Sequence, residues 1–261
     1  MDPDRGDGGA LNDWLRPEWR SVGAGALMTT RQGGVSVAPF DSMNIRTGVG
    51  DDAQAVQRNL AILQQHLPAV PVLLNQVHGA QVVRLTSVDL QTGAAQHQAD
   101  ACVTTEHGIA CTAQVADCLP VLFAAPGGVA AAHAGWRGLA GGVLQATVAA
   151  LCEAAQCQPG QLHVWLGACI GPSQFEVGAD VLEAFNSNHP KVSPWFIPRG
   201  AQHPNKWWAN LPALARSRLQ AAGVEQISGG TWCTASDRSR FFSYRRDGVT
   251  GRMVAVIWRA D

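Results

Sequence analysis

The chain has 261 residues, of which 46% are hydrophobic and 15% charged, and its formal net charge is −1. This length allows a large buried core, and so few charged residues argue against a disordered chain. A nearly neutral chain with no run of basic residues has little with which to release counterions from nucleic acid. Small-molecule chemistry is therefore the expected class of function.

The N-terminus and the cysteines predict the compartment. The first residues, MDPDRGDGGALNDW, are acidic and glycine-rich where a signal peptide needs basic residues followed by an apolar segment. No apolar stretch approaches the ~18–20 residues of a membrane-spanning helix. Seven cysteines, an odd number without a CxxC pair, fit a reducing compartment better than a disulfide framework. We expect a cytoplasmic protein without membrane or nucleic-acid partners, either a monomer or a weak homodimer.

The predicted elements begin after an N-terminal lead. Residues 1–20 are interpreted as a flexible lead, and residues 21–261 as a single domain. Residues 27–52 are rich in Gly, Ser, Thr and Asn, which is typical of a loop-rich region. Apolar residues at 56, 60, 63 and 67 have the spacing of one helical face and predict a first helix over 53–66.

The rest of the chain mixes short apolar runs with helical periodicity. The apolar runs predict buried strands at 70–74, 82–85, 101–105, 109–115, 120–125, 128–132, 161–167 and 253–258. A 3.6-residue period predicts helices at 139–155, 177–186 and 207–222. Because no repeat of 20–50 residues is present, an α/β or α+β sandwich is favoured over a solenoid.

Three short segments place a metal-ligand type of side chain where an apolar strand meets a turn. They are NQVHG at 75–79, ADCLP at 116–120 and AHAGWRG at 132–138. His78, Cys118 and His133 lie 40 and 15 residues apart, which matches no zinc-finger spacing. Three protein ligands with a fourth position open is the arrangement of a catalytic zinc site. On spacing alone, a surface histidine and a buried thiol remain the alternatives.

Longer motifs extend over most of the chain. They are TTRQGGVS at 29–36, NQVHG, ADC, AHAGWRG, GACIGP at 167–172, FEVG at 175–178 and FFSYRRDGVTGR at 241–252. In this order they resemble the motifs of the YfiH-like, or laccase-domain, family. The resemblance implies a four-layer α/β sandwich with mixed β-sheets, similar to the cytotoxic necrotizing factor catalytic domain. It also implies that His78, Cys118 and His133 are the catalytic residues and hold one Zn²⁺, with Cu²⁺ as the other possible metal.

The same resemblance implies an activity, and the polar residues near the motifs suggest a set of substrate-binding residues. The family includes purine nucleoside phosphorylases that act on adenosine, inosine and methylthioadenosine and also deaminate adenosine, so purine nucleosides and phosphate are the expected partners. Arginine suits bidentate phosphate recognition. The expected substrate-binding residues are Arg31, Asn44, Arg137, Tyr244 and Arg245. Asp117 is a candidate support for Cys118, and Cys169 and Cys233 are second-tier candidates for the site.

Three other functions stay open at this stage. The first is a copper-dependent polyphenol oxidase, because a His-Cys-His set also suits copper. The second is a cysteine hydrolase that edits peptidoglycan precursors, with Cys118 as nucleophile and His133 as its base. The third is a purine-sensing or scaffold protein that binds without turnover. Metal analysis and product detection from a nucleoside panel would separate these functions.

Overall fold

A computed structural model describes residues 13–19, 22–92, 97–186 and 193–260. The strands in these ranges are β1 (Ala24–Met28), β2 (Val70–Val72), β3 (Val82–Arg84), β4 (Ala101–Thr104), β5 (Ile109–Val115), β6 (Leu119–Ala125), β7 (Gly128–Ala134), β8 (His163–Leu166), β9 (Glu176–Val177), β10 (Phe196–Pro198), β11 (Trp207–Ala209), β12 (Gln226–Gly229) and β13 (Met253–Arg259). The helices are α1 (Ala53–Gln65), α2 (Ser87–Thr92), α3 (Trp136–Ala140), α4 (Val143–Ala155), α5 (Ala179–Asn186), α6 (Leu211–Ala221) and α7 (Tyr244–Asp247).

The strands form two large sheets and one small sheet. One large sheet has the order β1-β13-β5-β2, and the other has the order β12-β8-β6-β7-β4-β3. Each contains parallel and antiparallel neighbours: β2 pairs parallel with β5, and β3 parallel with β4, whereas the central pairs β13 with β5 and β6 with β7 are antiparallel. The small sheet, β10-β11-β9, is antiparallel. The expected mixed sheets are therefore confirmed.

The two large sheets pack face to face, and helices cover their outer faces. Helix α1 buries Leu63 against the outer face of the four-stranded sheet. Successive side chains of a strand point to opposite faces, so Leu122 of β6 packs between the sheets and Val121 packs on the helical side with Leu151 of α4. Strands β5, β6 and β7 are buried along their whole length because both of their faces are covered. This four-layer sandwich confirms the predicted fold class.

Two helical predictions need correction. The predicted helix at 139–155 is two helices, α3 and α4, because Gly141 and Gly142 interrupt it and Gly142 has a φ of 93°. The predicted helix at 207–222 begins only at α6. Its first residues form strand β11, and Asn210 then caps the helix by accepting a hydrogen bond from the Ala213 N–H at 3.0 Å.

Part of the N-terminal lead lies against the sheet. Trp14 is buried, and Leu15 exchanges two backbone hydrogen bonds with Met28 of β1, at 2.9 and 2.8 Å. Residues 1–12 and 20 of the predicted lead lie outside the described residues. Within the described ranges, no helix is long and apolar enough to cross a membrane.

Candidate metal centre

The three predicted ligands come together at one edge of the six-stranded sheet. His78 lies in the turn before β3, Cys118 in the tight turn between β5 and β6, and His133 near the end of β7. One ligand atom from each lies within 4.8 Å of the others, and Cys118 Sγ is 3.8 Å from His78 Nε2. Sulfur and imidazole nitrogen bind zinc at ~2.0–2.3 Å, so atoms this close together can share one ion. The fold therefore brings together the three residues that the sequence analysis predicted to share one site.

A buried carboxylate, Asp100, organises both histidines. It is 1% exposed and directly precedes β4. His133 Nδ1 donates to Asp100 Oδ1 at 2.8 Å, which leaves the Nε2 atom of His133 free to bind a metal. The backbone N–H groups of Val77, His78 and Gly79 also donate to this carboxylate, at 3.1, 2.9 and 2.7 Å. These bonds stabilise the left-handed conformation of His78, whose φ is 63°.

A second buried carboxylate, Asp117, directly precedes Cys118. Its φ is 89°, again in the left-handed region. Its Oδ1 accepts from the Thr234 hydroxyl at 2.6 Å, and its Oδ2 accepts from the Arg245 N–H at 2.6 Å. Through these contacts Asp117, the expected support for Cys118, joins the turn that carries the thiol to Thr234 and to the start of α7.

The AHAGWRG motif is explained by close approach of the backbone. A Cβ atom on Gly135 would lie 2.8 Å from His78 Cδ2 and 3.1 Å from Cys118 Sγ. A Cβ atom on Gly138 would lie 2.6 Å from the carbonyl oxygen of Gly79. A side chain at either position would therefore displace the ligands or the turn that holds them.

The charges of the centre favour a thiolate. Burial alone raises the pKa of the Cys118 thiol, but the positive charge of His133 and hydrogen bonds from both histidines outweigh burial and lower the pKa to about 6. For His133, burial lowers the pKa, but the Cys118 and Asp100 charges and hydrogen bonds outweigh it and raise the pKa to about 9. Without a metal, Cys118 and His133 are thus a thiolate-imidazolium pair at neutral pH. The thiolate is also the form that binds metal.

Two cavities of different character meet at the centre. The larger cavity, of about 360 Å³, has a polar wall formed by Arg46, Gln76, Gln114 and Arg252. The smaller cavity, of about 240 Å³, has a mainly apolar wall. That wall comprises Trp136, Ile170, Phe175 and Leu211, with Arg137, Asp117 and Arg245 beside them. His78, Ala116, Cys118 and Tyr244 line both cavities, and we call His78, Cys118 and Tyr244 the ridge.

Three of the five expected substrate-binding residues line these cavities. Tyr244 belongs to the ridge, and Arg137 and Arg245 lie in the smaller cavity. The guanidinium of Arg137 lies over the Trp136 ring at 4.3 Å, and that of Arg245 donates to the Glu176 carbonyl at 2.7 Å.

The other two expected substrate-binding residues line neither cavity. Arg31 forms an ion pair with Asp41 at 3.1 Å and lies over the Phe242 ring at 4.9 Å. Asn44 is fully buried, and its amide bonds the backbone of Arg46 and Arg252. The structure thus places Arg31 among bonds to Asp41 and to the Arg238 carbonyl, and Asn44 in the interior with no exposed surface.

Sequence reasoning missed Asp100, Arg46 and Arg252. The signals were weak: a lone Asp before a buried strand, an Arg two positions after Asn44, and the last residue of the FFSYRRDGVTGR motif. Burial, together with the nearby Arg46 charge, lowers the pKa of Arg252.

The second-tier cysteines are packed thiols outside the ligand group. Cys169 is buried, and burial raises the pKa of its thiol well above the usual value. Cys233 Sγ accepts from the Gly171 N–H at 3.1 Å, and the backbones of the two cysteines pair in a short parallel bridge. Their role is to join two loops behind the centre.

A four-layer α/β sandwich with a His-Cys-His centre at its sheet edge defines the class of this protein. A family model described as "Multi-copper polyphenol oxidoreductase laccase" matches residues 25–260. The Pseudomonas aeruginosa protein named as a purine nucleoside phosphorylase is 46% identical over 255 residues, covering 96% of this chain and 100% of that protein. Escherichia coli YfiH, which carries the same functional name, is 45% identical over 95% of this chain and 99% of its own.

Solved structures agree with these sequence relatives. A Neisseria meningitidis protein superposes with a TM-score of 0.88 at 43% identity, over 95% of this chain and 99% of that one. YlmD from Geobacillus stearothermophilus superposes with a TM-score of 0.84 at 34% identity, over 98% of each chain. The chain therefore belongs to the YfiH-like family, as its motifs predicted.

Proposed function

We propose that this chain is a zinc-dependent purine nucleoside phosphorylase that acts on adenosine, inosine and methylthioadenosine and also deaminates adenosine. The observation that carries the proposal is a thiolate-imidazole centre that lies between a polar, arginine-lined cavity and an apolar, aromatic one. The names of the relatives support the phosphorylase activity. The substrates, the metal and the deaminase activity follow from the family resemblance.

The donor set fits zinc. One thiolate and two imidazole nitrogens are borderline ligands, and three protein ligands leave a coordination position for a substrate. Asp100 accepts the Nδ1 proton of His133 and so turns Nε2 toward the centre, as carboxylates behind zinc-binding histidines do. When bound, the metal supplies Lewis-acid charge where the two cavities meet.

The two cavities suit the two substrates of phosphorolysis. Trp136 and Phe175 offer flat apolar surfaces on which a purine can stack, in the smaller cavity. The larger cavity offers positive charge for phosphate. In the reaction, a phosphate oxygen bonds to C1′ as the C1′–N9 bond breaks, and the electron pair of that bond leaves with the purine, which takes up a proton. The products are the free purine base and the sugar 1-phosphate.

Deamination needs a different atom of the nucleoside at the centre. Water adds its oxygen at C6 of adenosine and ammonia leaves. For this reaction the base, and not the sugar, must lie next to the ridge. Tyr244 and His78 face both cavities and can contact the nucleoside in either orientation.

A nucleoside panel tests the proposed function. Adenosine, inosine and methylthioadenosine are each incubated with the zinc-loaded protein, with and without phosphate, and the products are identified by mass spectrometry. We expect sugar 1-phosphate and free base only with phosphate, and inosine from adenosine in either condition. Absence of every product from protein with about one zinc per chain would overturn the proposal.

A cysteine hydrolase is the second candidate because of one observation. Cys118 has a pKa of about 6, and His133 beside it is oriented by Asp100, which is the arrangement of a nucleophile, a base and an orienting carboxylate. The two candidates differ in the expected effect of zinc. A zinc-dependent phosphorylase needs the ion for activity, whereas an ion bound to Cys118 would prevent the thiolate from acting as a nucleophile. Amide hydrolysis that rises when zinc is removed would favour the hydrolase. Phenol oxidation that requires added copper would test the oxidase described by the family model.

A further inference from the structure

We propose that Arg46 and Arg252 together form a binding site for a tetrahedral oxyanion, inorganic phosphate, and that Asn44 positions both arginines. The assignment of phosphate as the physiological anion rests on the proposed phosphorolysis. The anion site itself rests on the side chains of the larger cavity.

The larger cavity holds the two positive charges of Arg46 and Arg252 against one negative charge in its lining, the Cys118 thiolate. Arg46 and Arg252 line it together with the three metal ligands, and its lining contains no carboxylate. Among the residues that the structure describes, neither arginine forms an ion pair, whereas Arg31, Arg199 and Arg246 each pair with a carboxylate. Two like charges in a partly buried wall destabilise each other until an anion binds between them.

Each guanidinium is held from one side. Arg46 Nη1 donates to Gln114 Oε1 at 3.1 Å. Arg252 Nη1 donates to the carbonyl oxygens of Thr250 and Gly251, at 2.8 and 3.0 Å. Within the described ranges these are the only hydrogen bonds of the two groups, so both Nε and Nη2 edges remain available. Such an edge matches two oxygens of a phosphate group.

Asn44 connects the two arginines although they are far apart in the chain. Its Oδ1 accepts from the backbone N–H groups of Arg46 and Arg252, at 3.2 and 2.9 Å, and its Nδ2 donates to the Arg46 carbonyl at 3.1 Å. The Asn44 carbonyl in turn accepts from Asn59 Nδ2 at 2.8 Å. A fully buried amide with these bonds fixes the spacing of the two arginines before the anion arrives.

The arginines of the smaller cavity are less suited to phosphate. Arg137 is exposed and stacks on Trp136, and the Arg245 guanidinium bonds a carbonyl and lies 5.2 Å from the Phe175 ring centre. Both therefore complete an aromatic wall. This arrangement places the nucleoside, not the anion, on that side of the ridge.

The test measures phosphate binding and turnover separately. Inorganic phosphate is titrated calorimetrically into the zinc-loaded protein without nucleoside, and the KM values for phosphate and inosine are then measured. The variants are Arg46→Met, Arg46→Lys, Arg252→Lys, Asn44→Ala and Arg137→Lys. The matched control is Arg84→Met, since Arg84 is exposed on edge strand β3, its side chain bonds Thr105, and it lines neither cavity. Circular dichroism and zinc content verify the fold of each variant.

We expect Arg46→Met to weaken phosphate binding about 10- to 100-fold, the range for lost hydrogen bonds to a charged group. Arg46→Lys and Arg252→Lys keep the charge and should lose less. The inosine KM should stay within about 2-fold, since uniform loss of phosphate binding leaves nucleoside binding intact. As a positioning residue, Asn44→Ala should raise the phosphate KM with little change in the inosine KM, whereas a general loss of structure would change both and lower zinc content.

The outcomes separate this inference from the proposed function. If the unsubstituted protein binds phosphate but cleaves no nucleoside, and Arg46→Met no longer binds phosphate, the anion site is supported and the phosphorylase activity is overturned. Phosphorolysis whose phosphate KM is unchanged in both Arg46 variants and in Arg252→Lys would keep the phosphorylase and overturn the anion site. A phosphate KM raised only by Arg137→Lys would move the anion to the smaller cavity, which also overturns the inference.

Discussion

The two cavities share one metal centre but are built from different parts of the chain. Arg46 and Arg252 of the larger cavity come from the loop before α1 and from the residue before β13, and Asn44 ties them together. Trp136, Phe175 and Leu211 of the smaller cavity come from α3, the loop before β9 and the start of α6. Charge on one side and flat apolar surface on the other separate recognition of an anion from recognition of a base.

This difference makes the ridge the point where a substitution affects both sides at once. A change in one wall should alter the KM for one substrate, whereas a change at the metal centre should remove activity with every substrate.

Replacing a ligand should have the largest effect. Cys118→Ala removes the thiolate from a three-ligand centre, so we expect zinc to fall from about one ion per chain to near zero, with loss of phosphorolysis and deamination. Metal content is measured by plasma mass spectrometry. Cys152→Ala is the control, because Cys152 is a half-buried thiol on α4 that lines neither cavity. Full zinc in Cys118→Ala would show that the thiol is not a ligand.

Removing the charge of Asp100 should weaken the centre without deleting a ligand. Asp100→Asn keeps the size of the side chain but loses the negative charge that orients His133 and accepts the turn amides. We expect zinc affinity, measured by competition with a chelator, to fall about 10- to 100-fold, as it does when other carboxylates that bond a zinc-binding histidine are removed. Asp89→Asn is a matched control. Asp89 also bonds a histidine, His97, at 2.6 Å, but neither residue lines the two cavities. Equal zinc affinity in the two variants would contradict the assigned role of Asp100.

The reactivity of Cys118 should depend on pH and on the metal. In zinc-free protein the pKa of this thiol is about 6, so the thiolate forms as pH rises through 6 and alkylation by iodoacetamide should be half-maximal there. At pH 7 about 90% of the thiol is then ionised, against about 3% at the usual pKa of ~8.5. Bound zinc should protect it. Rates of labelling are followed by peptide mass spectrometry.

Two results would count against this account of Cys118. Half-maximal labelling near pH 8.5 in zinc-free protein would show that the imidazolium does not stabilise the thiolate. Rapid, stoichiometric labelling of a protein that still holds its zinc would show that Cys118 is a free nucleophile and would favour the hydrolase.

The smallest expected effect belongs to one aromatic residue of the apolar wall. Phe175→Leu keeps most of the volume but loses the ring, so we expect the inosine KM to rise about 2- to 10-fold, the value of one aromatic stacking pair. The phosphate KM should not change. The control is Phe196→Leu, a buried phenylalanine that lines neither cavity. A rise in the phosphate KM instead would mean that the two cavities do not divide the substrates.

Local pattern was enough to predict the middle of the fold. Strands β5, β6 and β7 are uninterrupted apolar runs because both of their faces are covered, so their positions were predicted to within two residues. The short strands β9 to β12 and the start of α6 were missed. They have few buried residues, and their pairing partners rather than their own periodicity define them.

The sequence by itself determined the fold class, the buried strands and the His-Cys-His group, because apolar runs and the motifs around His78, Cys118 and His133 are local signals. Only the tertiary structure decided which charged side chains serve that group. Asp100 acts through three turn amides and one imidazole, and the buried Asn44 side chain bonds the backbones of both Arg46 and Arg252. The sequence does not distinguish a charged side chain that is solvated by water from one that is bonded by another group of the protein. Its role therefore depends on which groups the folded chain brings within hydrogen-bonding distance.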